Sequence, residues 1–181
     1  MGRRQTIDRD GLLDAAERVV LREGANNLTI DAVAREAGVS KGGVLYAFET
    51  KDALIDTMMR RVVADYERMV EEYLRQTADT PRNRLLAHVD ANRREDAAVN
   101  ARAVALMTSF LRAPAFHAET LVFYRELFGH ADASTEAGRR MRLALLATEG
   151  AFVVRGFGLY PFTDAEWQAV HDDIAGILLA A

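Results

Sequence analysis

The chain has 181 residues, half of them hydrophobic and 28% charged, which suits one substantial core or a small module beside a larger one and excludes disorder as the dominant state. Its 23 basic and 27 acidic residues give a net charge of -4 and an isoelectric point near 5.6, so a general basic coat for nucleic acid is excluded. No cysteine is present, which removes disulfides, thiol catalysis, iron–sulfur clusters and cysteine-ligated zinc together.

No apolar run approaches the roughly 18–20 residues of a membrane span. Arg3 and Arg4 are followed by Asp8, Arg9 and Asp10 rather than by the apolar stretch of a signal peptide, so a soluble cytoplasmic protein is expected. Apolar residues recur at helical spacing from end to end and strand signals are almost absent. The chain reads as all-α, with about nine helices.

The first helix covers about 8–23, with Leu12, Leu13, Ala16, Val19 and Val20 on one side and Gly24 past its end. After a loop, Thr29 caps a short second helix to about 37, whose buried side is Val33, Ala34 and Ala37. Gly38 and Val39 break it, and Ser40 caps a third helix over 42–48. Two glycines at its start weaken that helix by up to about 1 kcal/mol each relative to alanine, so tertiary contacts must hold it. Thr50 caps a long amphipathic helix over about 51–76. Thr80 and Pro81, a cap followed by proline at the first position, start another. Further helices cover about 96–111, 115–128 and 135–157, the last almost wholly apolar after Leu143. Thr163 with Glu166 forms a capping box, and Phe162 against Trp167 a hydrophobic staple, at the start of the final helix.

Residues 29–51, TIDAVAREAGVSKGGVLYAFETK, have the pattern of a helix-turn-helix: Ala34 is small where two helices cross, Gly38 permits the turn, and Val39 and Phe48 plug the core beneath. In such a motif the second helix enters the major groove, and here it would present Ser40, Lys41, Gly42, Gly43 and Tyr46. Short helix pairs with a glycine turn also occur as plain packing units, and spacing by itself does not choose between the two. Charge adds a pointer. The chain up to Lys51 carries eight basic and eight acidic residues, while the rest carries fifteen and nineteen, and the only two lysines, Lys41 and Lys51, bracket the candidate recognition helix.

The stretch LTIDAVAREAGVSKGGVLYAFETKDALI, residues 28–55, resembles the diagnostic segment of the TetR family of bacterial transcriptional regulators almost position for position. The resemblance implies a homodimeric, all-helical protein with a three-helix DNA-binding head, here residues 1–50, and a variable helical body, residues 51–181, that binds a small effector and the second subunit. It implies a phosphate contact at Thr29, base-edge positions at Lys41, Gly42 and Gly43, and a phosphate-binding lysine at Lys51. Tyr46 stands one position after the aromatic that most members use, whose place is Leu45 here, and Ala47 replaces a frequent histidine. Lys41 to guanine then leads direct readout, and backbone and shape readout gain weight.

In the body, His88, Asn92, Met107, Phe110, Phe116, Phe123, Tyr124, Met141 and Thr148 are candidates to line a partly apolar effector pocket, with ordinary helical core as the alternative. Glu149 interrupts the apolar run and is expected to pair with an arginine across a subunit interface or to reach solvent. Leu146, Val153, Trp167, Val170, Ile174, Ile177 and Leu178 offer more apolar surface than one subunit readily covers, and the resemblance implies that these last two helices form the dimer interface. Twofold symmetry would let two heads read a palindromic double-stranded operator with half-sites roughly 34–36 Å apart. The expected function is a ligand-released transcriptional repressor. The alternative is a helical interaction protein whose head is only a packing module. No enzyme motif is present around His88, His117, His130 or His171, His171-Asp172-Asp173 is read as a solvated face, and neither a cofactor nor a metal site is expected.

Overall fold

The computed structural model describes residues 8–24, 27–110 and 114–179, without the side chains of 102, 105, 106, 108–110, 114–117 and 179. Among the described residues the chain forms helices α1 (Arg9–Glu23), α2 (Ile30–Ala37), α3 (Lys41–Phe48), α4 (Lys51–Leu74), α5 (Pro81–Arg94), α6 (Ala97–Phe110), α7 (Pro114–Gly129), α8 (Glu136–Gly156) and α9 (Asp164–Leu179), and no strand. The all-α expectation holds, and so do the caps. Thr29, Ser40, Thr50 and Thr80 each accept a backbone N–H three residues on with their side-chain oxygen, at 3.0–3.2 Å. Asp8 is the cap of α1 rather than its first residue, and its carboxylate accepts from Gly11 N at 3.0 Å. At the other end of the chain, Glu166 accepts from Thr163 N at 2.8 Å and donates its own N–H back to Thr163 Oγ1 at 3.2 Å.

The first core joins α1, α2, α3 and the opening turns of α4, through Leu12, Val19, Leu28, Val33, Val44, Phe48, Leu54 and Met58. The amphipathic stripe of α4 thus begins as part of the head and runs on into the body. A second core, Leu85, Leu86, Val89, Ala144, Leu145, Ile174 and Leu178, gathers α5, α8 and α9. A smaller cluster of Val62, Ala103, Val104 and Phe152 joins α4, α6 and α8. There α8 meets α6 so closely that a Cβ at Gly156 would overlap Val104. The head is attached to the body by the unbroken α4 and by α1 against α6. No helix among the described residues is long and apolar enough to cross a membrane.

Candidate nucleic-acid interface and internal cavity

The turn between α2 and α3 forms as its residues dictate. Gly38 takes φ 68°, a left-handed conformation that costs glycine little, and Val39 N donates to Ala34 O at 3.0 Å. This turn directs Val39 outward, so Val44 rather than Val39 joins Phe48 in the core beneath. With Val44 and Phe48 anchored, Lys41, Gly42 and Tyr46 face outward on the other side of α3, and Tyr46 is 83% exposed. Lys41 Nζ reaches Asp31 Oδ2 in the first turn of α2, at 2.9 Å. Thr29 and Ser40 are exposed at the N-termini of α2 and α3, Gly43 is half-buried, and Lys51 is half-exposed at the start of α4. Arg18 and Arg22 of α1 clamp Glu36 of α2 at 2.7 and 2.8 Å, and the two guanidinium groups hold its carboxyl below the ordinary range.

Below the head, α4 to α8 enclose a cavity of about 500 Å³. Met59, Val62, Met107 and Phe152 make its apolar wall, and Asn92, Phe123, Tyr124 and Glu149 are also at its surface. A hydrogen-bonded chain forms one side. The Tyr66 hydroxyl is 2.7 Å from His88 Nδ1, His88 Nε2 is 2.9 Å from Glu149 Oε1, and the Tyr124 hydroxyl donates to Glu149 Oε2 at 2.7 Å. Burial, followed by the charge of Glu149, pushes both phenols above their ordinary range, so they remain neutral donors. Arg60 bridges the edge of the cavity, 3.0 Å from Asp56 and 3.4 Å from Glu119 of α7. Its neighbour Arg61 lies 2.5 Å from Asp14 of α1.

Of the residues expected to line a pocket, Asn92, Met107, Phe123 and Tyr124 do so, and His88 stands behind Tyr66 and Glu149. Thr148 and Met141 do not. The Thr148 hydroxyl donates to Ala144 O in its own helix at 2.9 Å, and Met141 packs on the second core. The side chains of Phe110 and Phe116, like those of Thr108, Ser109 and His117, lie outside the described residues, as do Arg3 and Arg4. Among the described residues Glu149 pairs with His88 and Tyr124 of the same chain. Tyr66 is a lining residue that the sequence did not single out, because its position on the apolar stripe of α4 is also that of a core residue.

The candidate interface residues divide. Trp167, Ile174 and Leu178 are buried inside the protomer, because that stripe of α9 faces α5 and α8. Trp167 Nε1 donates to Arg93 O at 3.1 Å, and the Arg155 guanidinium covers its ring at 4.1 Å. His171 lies on the same stripe and is buried, not solvated, with Nδ1 2.8 Å from Trp167 O. Val170 is half-buried beside it. Leu146, Val153 and Ile177 are exposed, and Leu143, on the same face of α8, is 62% exposed.

Residues 12–58 match the family model of bacterial regulatory proteins, tetR family, and residues 67–178 match that of the tetracyclin repressor-like C-terminal domain. The HTH-type transcriptional regulator BetI of Stenotrophomonas maltophilia is 29% identical over 106 residues, 59% of this chain and 54% of that protein. BetI of Pectobacterium atrosepticum is 31% identical over 131 residues, 70% of this chain and 67% of that protein. The chain thus spans about half the length of the first of these relatives. Among solved structures, a transcriptional regulator from Rhodococcus sp. Rha1 superposes with a TM-score of 0.65 at 23% identity, over 95% of this chain and 96% of that one. The multidrug binding protein EbrR complexed with malachite green gives 0.65 at 22% identity, over 95% and 98%. At that identity the likeness is one of fold.

Proposed function

Because this chain belongs to the TetR family of bacterial regulatory proteins, we propose that it is a cytoplasmic transcriptional regulator that binds a palindromic operator as a homodimer and is released by a small molecule. The observation that carries this reading is the free outer face of α3. There Tyr46 is 83% exposed beside the exposed Gly42 and Lys41, so side chains and backbone alike are open to a groove. Thr29, Ser40 and Lys51 would bind phosphate at three helix N-termini, and Lys41, Gly42, Gly43 and Tyr46 would face base edges.

The working division is residues 1–50 for DNA and 51–181 for effector and partner. Leu143, Leu146, Val153 and Ile177 form the exposed apolar face that a second copy would cover, with Trp167, Ile174 and Leu178 supporting it from inside. The cavity is the effector site, a reading supported by a neighbour of the same fold that is a multidrug binding protein. An effector that moves α4 changes the separation of the two heads and uncouples them from half-sites one turn apart.

The test is binding of the purified protein to the DNA upstream of its own gene, against random DNA, over a range of salt. Affinity for the upstream DNA should exceed that for random DNA and fall steeply with ionic strength. Equal affinity for both at moderate salt would leave the alternative, a helical interaction protein.

A further inference from the structure

The cavity differs from an ordinary apolar pocket in the sign of its charge. Four glutamates, Glu67, Glu95, Glu119 and Glu149, are among its lining residues, against one described cationic residue, Arg60. Arg60 is already engaged between Asp56 and Glu119. Carboxylates around a partly enclosed, low-dielectric space focus a negative potential into it.

The hydrogen bonding gives the same sign. A carboxylate oxygen accepts, so His88 Nε2 donates to Glu149 Oε1, while the Tyr66 hydroxyl lies 2.7 Å from His88 Nδ1. Tyr124 spends its own proton on the other Glu149 oxygen. An anionic group entering beside Glu149 therefore meets a carboxylate whose neighbouring donors are already turned toward it. Three rings stand around the spot. Phe123 is nearly perpendicular to Tyr66, with centroids 5.9 Å apart at 84°, and to Tyr124, at 5.2 Å and 77°. Ring faces turned in different directions about a carboxylate suit a positive centre, while Met59, Val62, Met107 and Phe152 suit an apolar body.

We propose that the cavity binds an organic cation with an apolar body, its positive centre held at Glu149 within the rings of Tyr66, Phe123 and Tyr124. The proposal rests on reading the cavity as an effector site, and its test contains no DNA, so that its failure and that of the regulator reading are separable.

Calorimetry of the full chain with tetraphenylphosphonium and tetraphenylborate compares one shape in two charges. The phosphonium should bind at least about tenfold tighter, and Glu149→Gln should weaken it by about ten- to a hundredfold without weakening the borate. A double variant of the exposed glutamates, Glu67→Gln with Glu119→Gln, should weaken the phosphonium by a few-fold and leave the fold intact, whatever happens to the buried network in Glu149→Gln. Equal or tighter binding of the borate, no phosphonium binding at millimolar concentration, or phosphonium affinity unmoved by both variants overturns the proposal.

Discussion

Lys41 Nζ stands 2.9 Å from Asp31 Oδ2, tying the first residue of α3 to the first turn of α2. Both side chains are more than half exposed, and surface pairs of this kind are worth about 0–1 kcal/mol. The pair therefore does little for the fold, but it restrains the lysine expected to reach guanine and would hold a carboxylate near the phosphates of a bound operator. Asp31→Asn should raise affinity for operator and random DNA alike by several-fold, at nearly unchanged melting temperature. Fluorescence anisotropy at several salt concentrations measures this; unchanged affinity for both DNAs would place Asp31 outside the interface.

Lys51 and Lys41 should separate by kind of loss. Lys51 opens α4 next to the cap Thr50, where a cation can meet phosphate but carries no sequence information. Lys51→Ala should weaken all DNA binding nearly uniformly and reduce the salt slope by about one. Lys41→Ala should also relax preference at one base pair per half-site. Binding to a set of single-base operator variants checks the division, which equal losses on specific and random DNA in both variants would contradict.

Gly42 offers a test in which stability and function move in opposite directions. A Cβ there would have Ser40 Oγ at 3.8 Å as its nearest neighbour, an ordinary contact. Nothing in the fold requires glycine, and alanine in a helix interior is worth up to about 1 kcal/mol more. Gly42→Ala should raise the melting temperature and, if the backbone of α3 approaches the groove at this position as proposed, lower operator affinity. A variant equally stable or more so that binds DNA as tightly as the parent would refute close approach at this position.

How much of this was legible in sequence follows from how local each feature is. The caps at Thr29, Ser40, Thr50, Thr80 and Thr163 are contacts between residues three apart, and the sequence alone located them. Val39 was misjudged because the left-handed Gly38 reverses the direction of the next side chain. The cavity was half legible: Phe123 and Tyr124 stood out as clustered aromatics, but Tyr66, His88, Tyr124 and Glu149 meet from four helices across 22 to 61 residues. Pairing at that distance depends on how α4, α5, α7 and α8 are assembled. Likewise, helical periodicity showed that α9 has an apolar stripe, but only the approach of α5 decides that Trp167, Ile174 and Leu178 face inward while Ile177 does not.

His171 should make stability sensitive to mild acid. Burial, reinforced by the nearby charges of Arg93 and Arg155 and opposed by the Trp167 carbonyl and Asp172, lowers its pKa from the ordinary 6.5. Nδ1 donates to Trp167 O, and Nε2 has no hydrogen-bond partner among the described residues, so a second proton would be buried unpaired. The unfolded chain then binds more protons once the pH falls below about 6.5, and stability is full above that value and declines beneath it. Melting temperatures between pH 7.5 and 5.5 should fall for the parent and flatten for His171→Phe. Parallel curves would assign the slope to another group.

Arg60 lies at the cavity and bridges to Glu119 of α7, while the next residue, Arg61, lies 2.5 Å from Asp14 and 3.6 Å from Glu17 of α1. Two adjacent arginines of α4 thus tie it to the cavity's α7 side and to α1, so if the cavity is the effector site, a displacement of α4 at Arg60 is expected to reach α1 through Arg61. Coupling between sites is typically about 1–3 kcal/mol, a five- to 150-fold change in affinity. Arg61→Ala should leave both tetraphenylphosphonium binding and operator binding within a few-fold of the parent but reduce the factor by which saturating phosphonium weakens the operator complex. Titrating operator with and without phosphonium gives that factor for both proteins. The same factor in both would show that coupling runs elsewhere, for example through α1 against α6.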